Sequence, residues 1–276
     1  MKRKGQLGTL QKIIIFSIVL IILLSFVTYM ILKMQGGCHP PDEAFVCRLS
    51  VETVSMTRFG EGGITTIGSK SPFELECDRY FIQFEEDHVS CGTNPAERDR
   101  KHEFYYKGRE TDEYPKLTSD IVNYVVAEEL RKCWFQFLEG KVDVFNKDVF
   151  DFFKDKKTCF ICSEISFKED IEVEYEDGEH FFTGFYDYID TNEIVEGTTY
   201  LEYLNENTLS TFSFDEIAEG YEIKLDPGFV LGKKYVVMFV KEGAGAKFDI
   251  FGSTENYYSY VFPKEEVGKF CNLPVG

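Results

Sequence analysis

Basic residues are scarce in this chain of 276 residues, which carries 30 Lys and Arg against 48 Asp and Glu. The formal net charge is −18, and the imbalance is uneven. Five of the basic residues and no acid lie in the first 35 positions, so the rest of the chain has 25 basic and 48 acidic residues, a net charge of −23. Nucleic-acid binding requires clusters of Lys and Arg. We therefore expect no nucleic-acid partner.

The motifs of the common enzyme classes are missing as well. The chain has no G-x-S-x-G, no H-E-x-x-H, no P-loop and no G-x-G-x-x-G. Its four His are isolated, and a zinc site built on Cys159-x-x-Cys162 would need a second such pair or two His at suitable spacing. We predict no catalytic residues, no cofactor and no metal site. The pattern favours a protein that is not an enzyme, although 48 acids always offer carboxylate pairs, so a surface hydrolase stays an alternative.

Charge is absent from the stretch that runs from Ile13 to Leu32. Twenty residues at about 1.5 Å rise make a helix of about 30 Å, the hydrocarbon thickness of a bilayer. The stretch predicts a transmembrane helix and a membrane partner. Short basic flanks stay cytoplasmic. We therefore expect a single-pass protein of the cell membrane with a cytoplasmic N-terminus and an extracellular C-terminal domain.

The residues before this apolar stretch carry a second signal. Residues 4–11, KGQLGTLQ, resemble the class III signal of archaeal type IV prepilins, in which a peptidase cuts between a basic-Gly pair and Gln. The matching cut would fall between Gly5 and Gln6. Gly8 stands where that family usually has Ser, and Leu10 where it has Glu. The resemblance implies a pilin-like filament subunit, an alternative to a permanent anchor. A secretory signal cleaved near Cys38 is a further alternative.

All eight cysteines follow the apolar stretch, and an even number in an exported domain predicts disulfides. They are Cys38, Cys47, Cys77, Cys91, Cys133, Cys159, Cys162 and Cys271. Pairing neighbours would join Cys38 to Cys47 and Cys77 to Cys91, and the other four would tie a helix to the C-terminal region. Cys159-x-x-Cys162 is interpreted as structural, and its two thiols need not pair with each other.

Hydrophobic periodicity predicts strands with one long amphipathic helix. The helix spans 120–139, with Ser119 as its cap, Gly140 after its end and a core-facing apolar stripe that includes Val122, Val126 and Leu130. The predicted strands are 47–58, a hairpin over 74–91, 104–106, 158–167, a two-faced strand starting at 171, 221–225, 234–240, 247–251 and 257–262. Short helices are predicted at 185–189 and 200–204.

Together these patterns predict an α+β protein: an N-terminal transmembrane helix followed by a mostly β, disulfide-stapled ectodomain with one long amphipathic helix. We divide the chain into a cytoplasmic basic tail (1–12), the transmembrane helix (13–35), a β-rich first part of the ectodomain (36–115) and a second part with the helix and further strands (116–276). The function expected is non-catalytic, either surface binding or an envelope structural role. A protein partner or self-assembly would serve either role.

Several short segments together carry a family resemblance. They are 47–52 (CRLSVE), 133–135 (CWF), 139–145 (EGKVDVF), 159–162 (CFIC) and 184–188 (GFYDY). In these segments the chain resembles an uncharacterised family of single-pass membrane proteins from small-genome, woesearchaea-like archaea. That resemblance implies location and topology, and it implies no activity.

Overall fold

A computed structural model describes most of the chain. The described residues are 4–33, 37–38, 40–58, 75–94, 104–106, 109–111, 113–114, 116–142, 157–169, 171, 181–205, 228–242, 256–271 and 273–275. The helices are α1 Lys4–Lys33, α2 Pro41–Arg58, α3 Ser119–Gln136, α4 Phe185–Thr191, α5 Tyr200–Asn205 and α6 Val267–Phe270. The strands are β1 Tyr80–Phe84, β2 Val89–Gly92, β3 Phe104–Tyr106, β4 Arg109–Thr111, β5 Lys157–Phe167, β6 Phe181–Thr183, β7 Glu193–Val195, β8 Thr198–Thr199, β9 Gly228–Val230, β10 Tyr235–Glu242, β11 Asn256–Pro263 and β12 Leu273–Val275.

A mixed sheet with β5 at its centre organises the fold. Its strand order is β11-β10-β5-β1-β2, and β12 pairs with the first residues of β5. The pairings of β5 with β1 and β12 are parallel, and those of β10 with β5 and β11 are antiparallel. The register between β5 and β10 shifts between Val237 and Met238. The predicted parts 36–115 and 116–276 share this sheet, because β1 comes from the first and β5 from the second.

The two faces of the sheet carry separate hydrophobic clusters. One face packs against α3, with Phe137 stacked on Phe239 at a centroid distance of 4.5 Å. The opposite face holds Tyr260 and Phe262, covered by α6, whose Phe270 lies 4.9 Å from the Phe262 ring. Both faces of β5 are therefore buried, which explains why its sequence is apolar without strict alternation.

Helix α3 is the predicted long helix, and its ends differ slightly from the prediction. Thr118, rather than Ser119, caps the N-terminus by accepting the Ile121 N–H. The Ser119 hydroxyl instead accepts the Thr183 N–H. The helix ends at Gln136, and a 3-10 turn at Leu138–Gly140 follows. The predicted apolar stripe is buried, but so is nearly every other residue of α3.

Helix α2 corrects the predicted strand at 47–58. Pro41 opens the helix, where its missing N–H leaves no bond unmade, and Asp42 and Glu43 follow in the first turn, where acids suit the helix dipole. The buried apolar positions are 44, 47, 51 and 54, a spacing of three and four that only a helix places on one face. The β-branched residues that suggested a strand are thus accommodated by tertiary packing, which overrides their propensity.

The predicted transmembrane helix needs a correction as well. The stretch from Ile13 to Leu32 lies within α1, yet nowhere in the described part of the chain is a helix both long and apolar enough to cross a membrane.

The other predicted elements compare well with the structure. The α+β class, the hairpin over 74–91, the strands at 104–106, 158–167, 234–240 and 257–262, and both short helices are confirmed. The predicted strands at 221–225 and 247–251 lie outside the described residues, as does nearly all of the strand predicted from 171.

Candidate functional site

Four disulfides connect the layers of the fold, so the eight predicted cysteines are all confirmed as bonded. The bonds are Cys38–Cys91, Cys47–Cys77, Cys133–Cys162 and Cys159–Cys271. The neighbour pairings predicted for the first four cysteines are wrong. Cys47 lies on the buried face of α2, and Cys91 lies on the edge strand β2, so contacts between distant segments determine the partners.

The two sulfurs of Cys159-x-x-Cys162 point to opposite faces of the central strand. Cys162 lies in the cluster under α3 and bonds Cys133 of that helix. Cys159 lies in the cluster on the other face and bonds Cys271, just after α6. The pair therefore staples one strand to both covering layers. This arrangement excludes a thioredoxin-like use of these thiols, which would require the two cysteines to pair with each other.

A second feature, which sequence reasoning missed, is a set of charged side chains buried on α3. They are Glu128, Glu129, Arg131 and Lys132, all between 0% and 5% exposed. Charged residues are rarely buried unless paired and hydrogen-bonded. We call these four residues the α3 charge cluster. Charged residues of an amphipathic helix ordinarily lie on its solvated face, so no pattern in the sequence marks these four as buried.

In one half of the α3 charge cluster, Glu128 and Arg131 form an ion pair, and a tyrosine hydroxyl donates a hydrogen bond to its carboxylate. The Arg131 Nη2 lies 2.6 Å from the Glu128 Oε2, and its Nε donates to the same carboxylate at 3.2 Å. The Tyr200 hydroxyl of α5 donates to the Glu128 Oε1. Burial opposes the charge on Arg131, but the adjacent Glu128 raises the pKa of the guanidinium. Burial and the Glu128 charge both raise the pKa of Tyr200, so its hydroxyl stays a donor.

The other half of the α3 charge cluster anchors the chain between α1 and α2. The Cys38 N–H donates to the Glu129 Oε1 at 2.7 Å. Gly37 has φ +57°, and a Cβ there would lie 2.7 Å from the Glu129 Oε1 and 2.9 Å from the Glu128 Cβ. Only glycine fits this close approach at positive φ. Lys132 is fully buried nearby, and burial lowers the pKa of its ammonium to about 8 despite the two glutamates.

A second ion pair joins α2 to the turn after α3. The Arg48 guanidinium bonds the Glu139 carboxylate at 2.6 and 3.2 Å, donates to the Phe135 carbonyl and lies 4.2 Å from the centroid of the Phe135 ring. Lys141 and the Tyr203 hydroxyl also bond Glu139. Burial disfavours the charge on Glu139, but Arg48 and Lys141 together hold its pKa below the ordinary value.

The two ion pairs, Glu128–Arg131 and Arg48–Glu139, have the hydrogen-bonded arrangement of pairs that stabilise a fold. The guanidinium and carboxylate groups bond each other, and no described group of three or more His, Cys, Asp or Glu could hold a metal ion. A shallow aromatic cleft lies elsewhere, with a volume of only about 30 Å³, far below that of a typical ligand site. Its lining is Phe185, Tyr186, Gly228, Phe229, Tyr235, Val261 and Pro263.

The one prominent exposed apolar surface lies on α1 among the described residues. Eleven large apolar side chains between Ile13 and Leu24 are 45–69% exposed, and they face all directions around the helix axis. Gly5 and Gln6, the predicted processing site, lie at the start of α1. Processing between them stays a prediction.

Comparison of this chain with known proteins finds no match among family models, curated proteins or solved structures. The family resemblance therefore stays a prediction; it is carried by residues 47–52, 133–135, 139–145, 159–162 and 184–188.

Proposed function

We propose that this chain is an exported protein with a non-catalytic binding or structural role at the cell surface. The observation that carries the proposal is that all eight cysteines form disulfides across the two covering layers and the sheet. Disulfides of this kind persist in oxidising compartments and are rare where thioredoxin and glutathione keep thiols reduced. The acid excess suits an exposed surface, because like charges keep such a surface soluble.

The non-catalytic role is supported by how the buried charges are used. Glu128, Arg131 and Glu139 are engaged with partners inside the protein, and their carboxylates and guanidinium face neighbouring helices. The small aromatic cleft offers little volume for a substrate. These observations support binding through a surface or a structural role over catalysis.

The test counts thiols in protein taken from the cells that produce it, with a thiol-alkylating reagent added at lysis. We expect no alkylated cysteine before reduction and eight after it. Labelling of intact cells with a membrane-impermeant amine reagent should modify exposed lysines such as Lys269. Eight free thiols, or protection of these lysines until lysis, would contradict export.

A pilin-like filament subunit is the second candidate, and α1 favours it. An apolar helix exposed on all sides is stable in water only when other chains cover it. Covering by further copies of the same helix would form a filament core. The proposed processing between Gly5 and Gln6 would leave the helix on the mature protein.

N-terminal sequencing of the mature protein tests this second candidate. A first residue of Gln6 supports it, and a chain that starts at Met1 or Lys2 contradicts it. Sedimentation then compares the wild type with Ile18→Asp, which places a charge in the exposed stretch. We expect this variant to lose high-mass assemblies, whereas Thr53→Asp on the exposed side of α2 should keep them.

A further inference from the structure

Most of the disulfides join cysteines that are not consecutive in the sequence. Cys47–Cys77 alone joins cysteines that are consecutive in the sequence. Cys38–Cys91 encloses that bond, and Cys133–Cys162 and Cys159–Cys271 overlap by three residues. A chain that oxidised each cysteine with the next available one would form none of the four native bonds.

Loop closure favours the wrong partner for Cys38. Cys47 is nine residues away, whereas the native partner Cys91 is 53 residues away. Closure probability falls with roughly the 3/2 power of loop length, so the short loop is favoured by about 14-fold. Cys91 also follows Cys47 by 44 residues, which takes roughly 2–9 s of synthesis at ~5–20 residues per second.

The groups that position Cys38 come later still in the chain. Its N–H donates to the Glu129 side chain, and Gly37 lies against Glu128 and Glu129. Both glutamates belong to α3, which begins at Ser119. When Cys38 and Cys47 first meet an oxidant, the surface that holds Cys38 towards Cys91 does not yet exist.

Once the fold is complete, burial of the cysteines prevents the disulfides from rearranging. Seven of the eight cysteines are at most 9% exposed, with Cys77 the partly exposed one. An attacking thiolate needs access to a sulfur atom. Any rearrangement must therefore happen before α3 and the sheet pack together.

We propose that this chain is a client of a dithiol disulfide isomerase, which converts a Cys38–Cys47 bond into Cys38–Cys91. An isomerase thiolate attacks the Cys38 sulfur, breaks the bond to Cys47 and releases the Cys47 thiolate. The deprotonated Cys91 then attacks the Cys38 sulfur of the mixed disulfide, forms the native bond and returns the isomerase thiolate. The number of disulfides is unchanged, so no oxidant is consumed. The inference rests on the proposed export to an oxidising compartment.

The experiment reoxidises the reduced, denatured full-length chain, kept dispersed in a non-ionic detergent, with and without a purified dithiol isomerase. Early products are alkylated, digested and mapped by mass spectrometry. In the thiol-free reaction we expect Cys38–Cys47 to exceed Cys38–Cys91 by about tenfold. Adding the isomerase should reverse that ratio. Predominance of Cys38–Cys91 in the thiol-free early products, or equal rates of native pairing with and without isomerase, would overturn the proposal.

Two cysteine variants sharpen the result. C47S/C77S removes the competing partner, so Cys38–Cys91 should form without isomerase. C133S/C162S leaves Cys47 in place and should keep the isomerase dependence at Cys38. The peptide map reads the first bonds formed, so it stays informative if a variant fails to fold. Free thiols in protein taken from cells would contradict export, and that outcome is separate from the pairing measured here.

Discussion

At the scale of single residues, the α3 charge cluster is what distinguishes this protein from an ordinary packed core. Taking charges out of water is costly, and the geometry around Glu128 and Arg131 offsets that cost only while both partners are present. The neighbouring Lys132 is held in a fully buried position where its charged form is disfavoured. Substitutions here should therefore reveal stability effects far larger than those of surface pairs.

Arg131→Leu should lower the free energy of unfolding by about 3–5 kcal/mol, because Glu128 would keep a buried charge without its guanidinium. The matched control is Lys269→Met, which breaks a pair of the same i,i+3 spacing with Glu266. The side chains of that control pair are 75% and 28% exposed, against 6% each for Arg131 and Glu128. The control should cost at most about 1 kcal/mol. Chemical denaturation measures both, and equal losses would contradict the assignment.

The lowered pKa of Lys132 predicts that the folded protein becomes more stable as pH rises. Its folded pKa is about 8, below the ordinary 10.5, so between these values the unfolded chain holds a proton that the folded one has lost. Stability therefore increases as pH rises through this window. From pH 8 to 9.5 the free energy of unfolding of the wild type should gain about 1–2 kcal/mol relative to Lys132→Met.

The same comparison between pH 5.5 and 7 is the control, because Lys132 is almost fully protonated in both states there and the difference should stay nearly flat. Measurements stop below pH 10, since the raised pKa values of Tyr124 and Tyr200 make the unfolded tyrosines ionise first and reverse the slope. A flat difference from pH 8 to 9.5 would show that Lys132 does not lose its proton on folding.

At the scale of elements, two short segments determine how the covering layer meets the sheet. Helix α2 packs its spaced apolar positions inward and holds α3 through Arg48 and Glu139. The turn after α3 has positive φ at Leu138, Glu139 and Gly140, which redirects the chain over Trp134. Substitutions in α2 and in the turn test the conformation that the structure gives to each.

Substitutions in α2 distinguish a helix from the strand that propensity suggests. Val51 is fully buried and Thr53 is exposed, as a helix requires, whereas a strand would place both on one face. Val51→Asp should destabilise by about 3 kcal/mol or more, because a carboxylate would enter the core. Thr53→Asp should change stability by less than about 1 kcal/mol. Similar losses for the two variants in thermal or chemical unfolding would favour the strand.

Gly140→Ala tests the tight turn after α3. A Cβ at this position would lie 2.8 Å from the Tyr257 Cβ and 2.9 Å from the Trp134 Cη2, at φ +70°. Gly232→Ala is the control, since φ is +82° there and nothing lies within 4 Å. The control should cost about 1 kcal/mol of backbone strain. Gly140→Ala should cost about 1–3 kcal/mol more from overpacking, and equal melting temperatures of the two variants would contradict this.

At the scale of the whole molecule, the disulfides link segments that are far apart in the chain. Cys159–Cys271 closes a separation of 112 residues and joins the central strand to the C-terminal region. Cys47–Cys77 closes 30 residues near the surface. Constraint of the unfolded chain grows with loop length, so the bonds should differ in the stability they contribute.

Removal of the long-range bond should be the more damaging of the two. C159S/C271S is expected to lower the free energy of unfolding by about 5 kcal/mol, and C47S/C77S by about 4 kcal/mol, from loop entropy alone. The fully buried position of Cys159 adds to the first loss, because two hydroxyls would replace sulfurs in the core. Urea unfolding of both variants checks the order, and a larger loss in C47S/C77S would contradict it.

Sequence reasoning performed best where a pattern is local. The hairpin over 74–91, the strand at 158–167 and the helix starting near residue 120 follow from alternation, apolar runs and caps, which neighbours in the chain determine. It failed at 47–58, where β-branched residues indicated a strand and packing of positions 44, 47, 51 and 54 produced a helix. Sequence reasoning missed the α3 charge cluster, because the helices that bury it, α2 and α5, are far from it in the sequence.

By itself, the sequence determined the class of the fold, the acid excess and the expectation that every cysteine is oxidised, because composition and short-range periodicity carry that information. Tertiary structure alone decided which cysteines bond, since pairing depends on which distant segments lie within bonding reach. It also overturned the transmembrane helix predicted from Ile13 to Leu32. It decided that Glu128, Arg131 and Lys132 are buried, because helices far along the chain close over them and remove the water that their charges would otherwise keep.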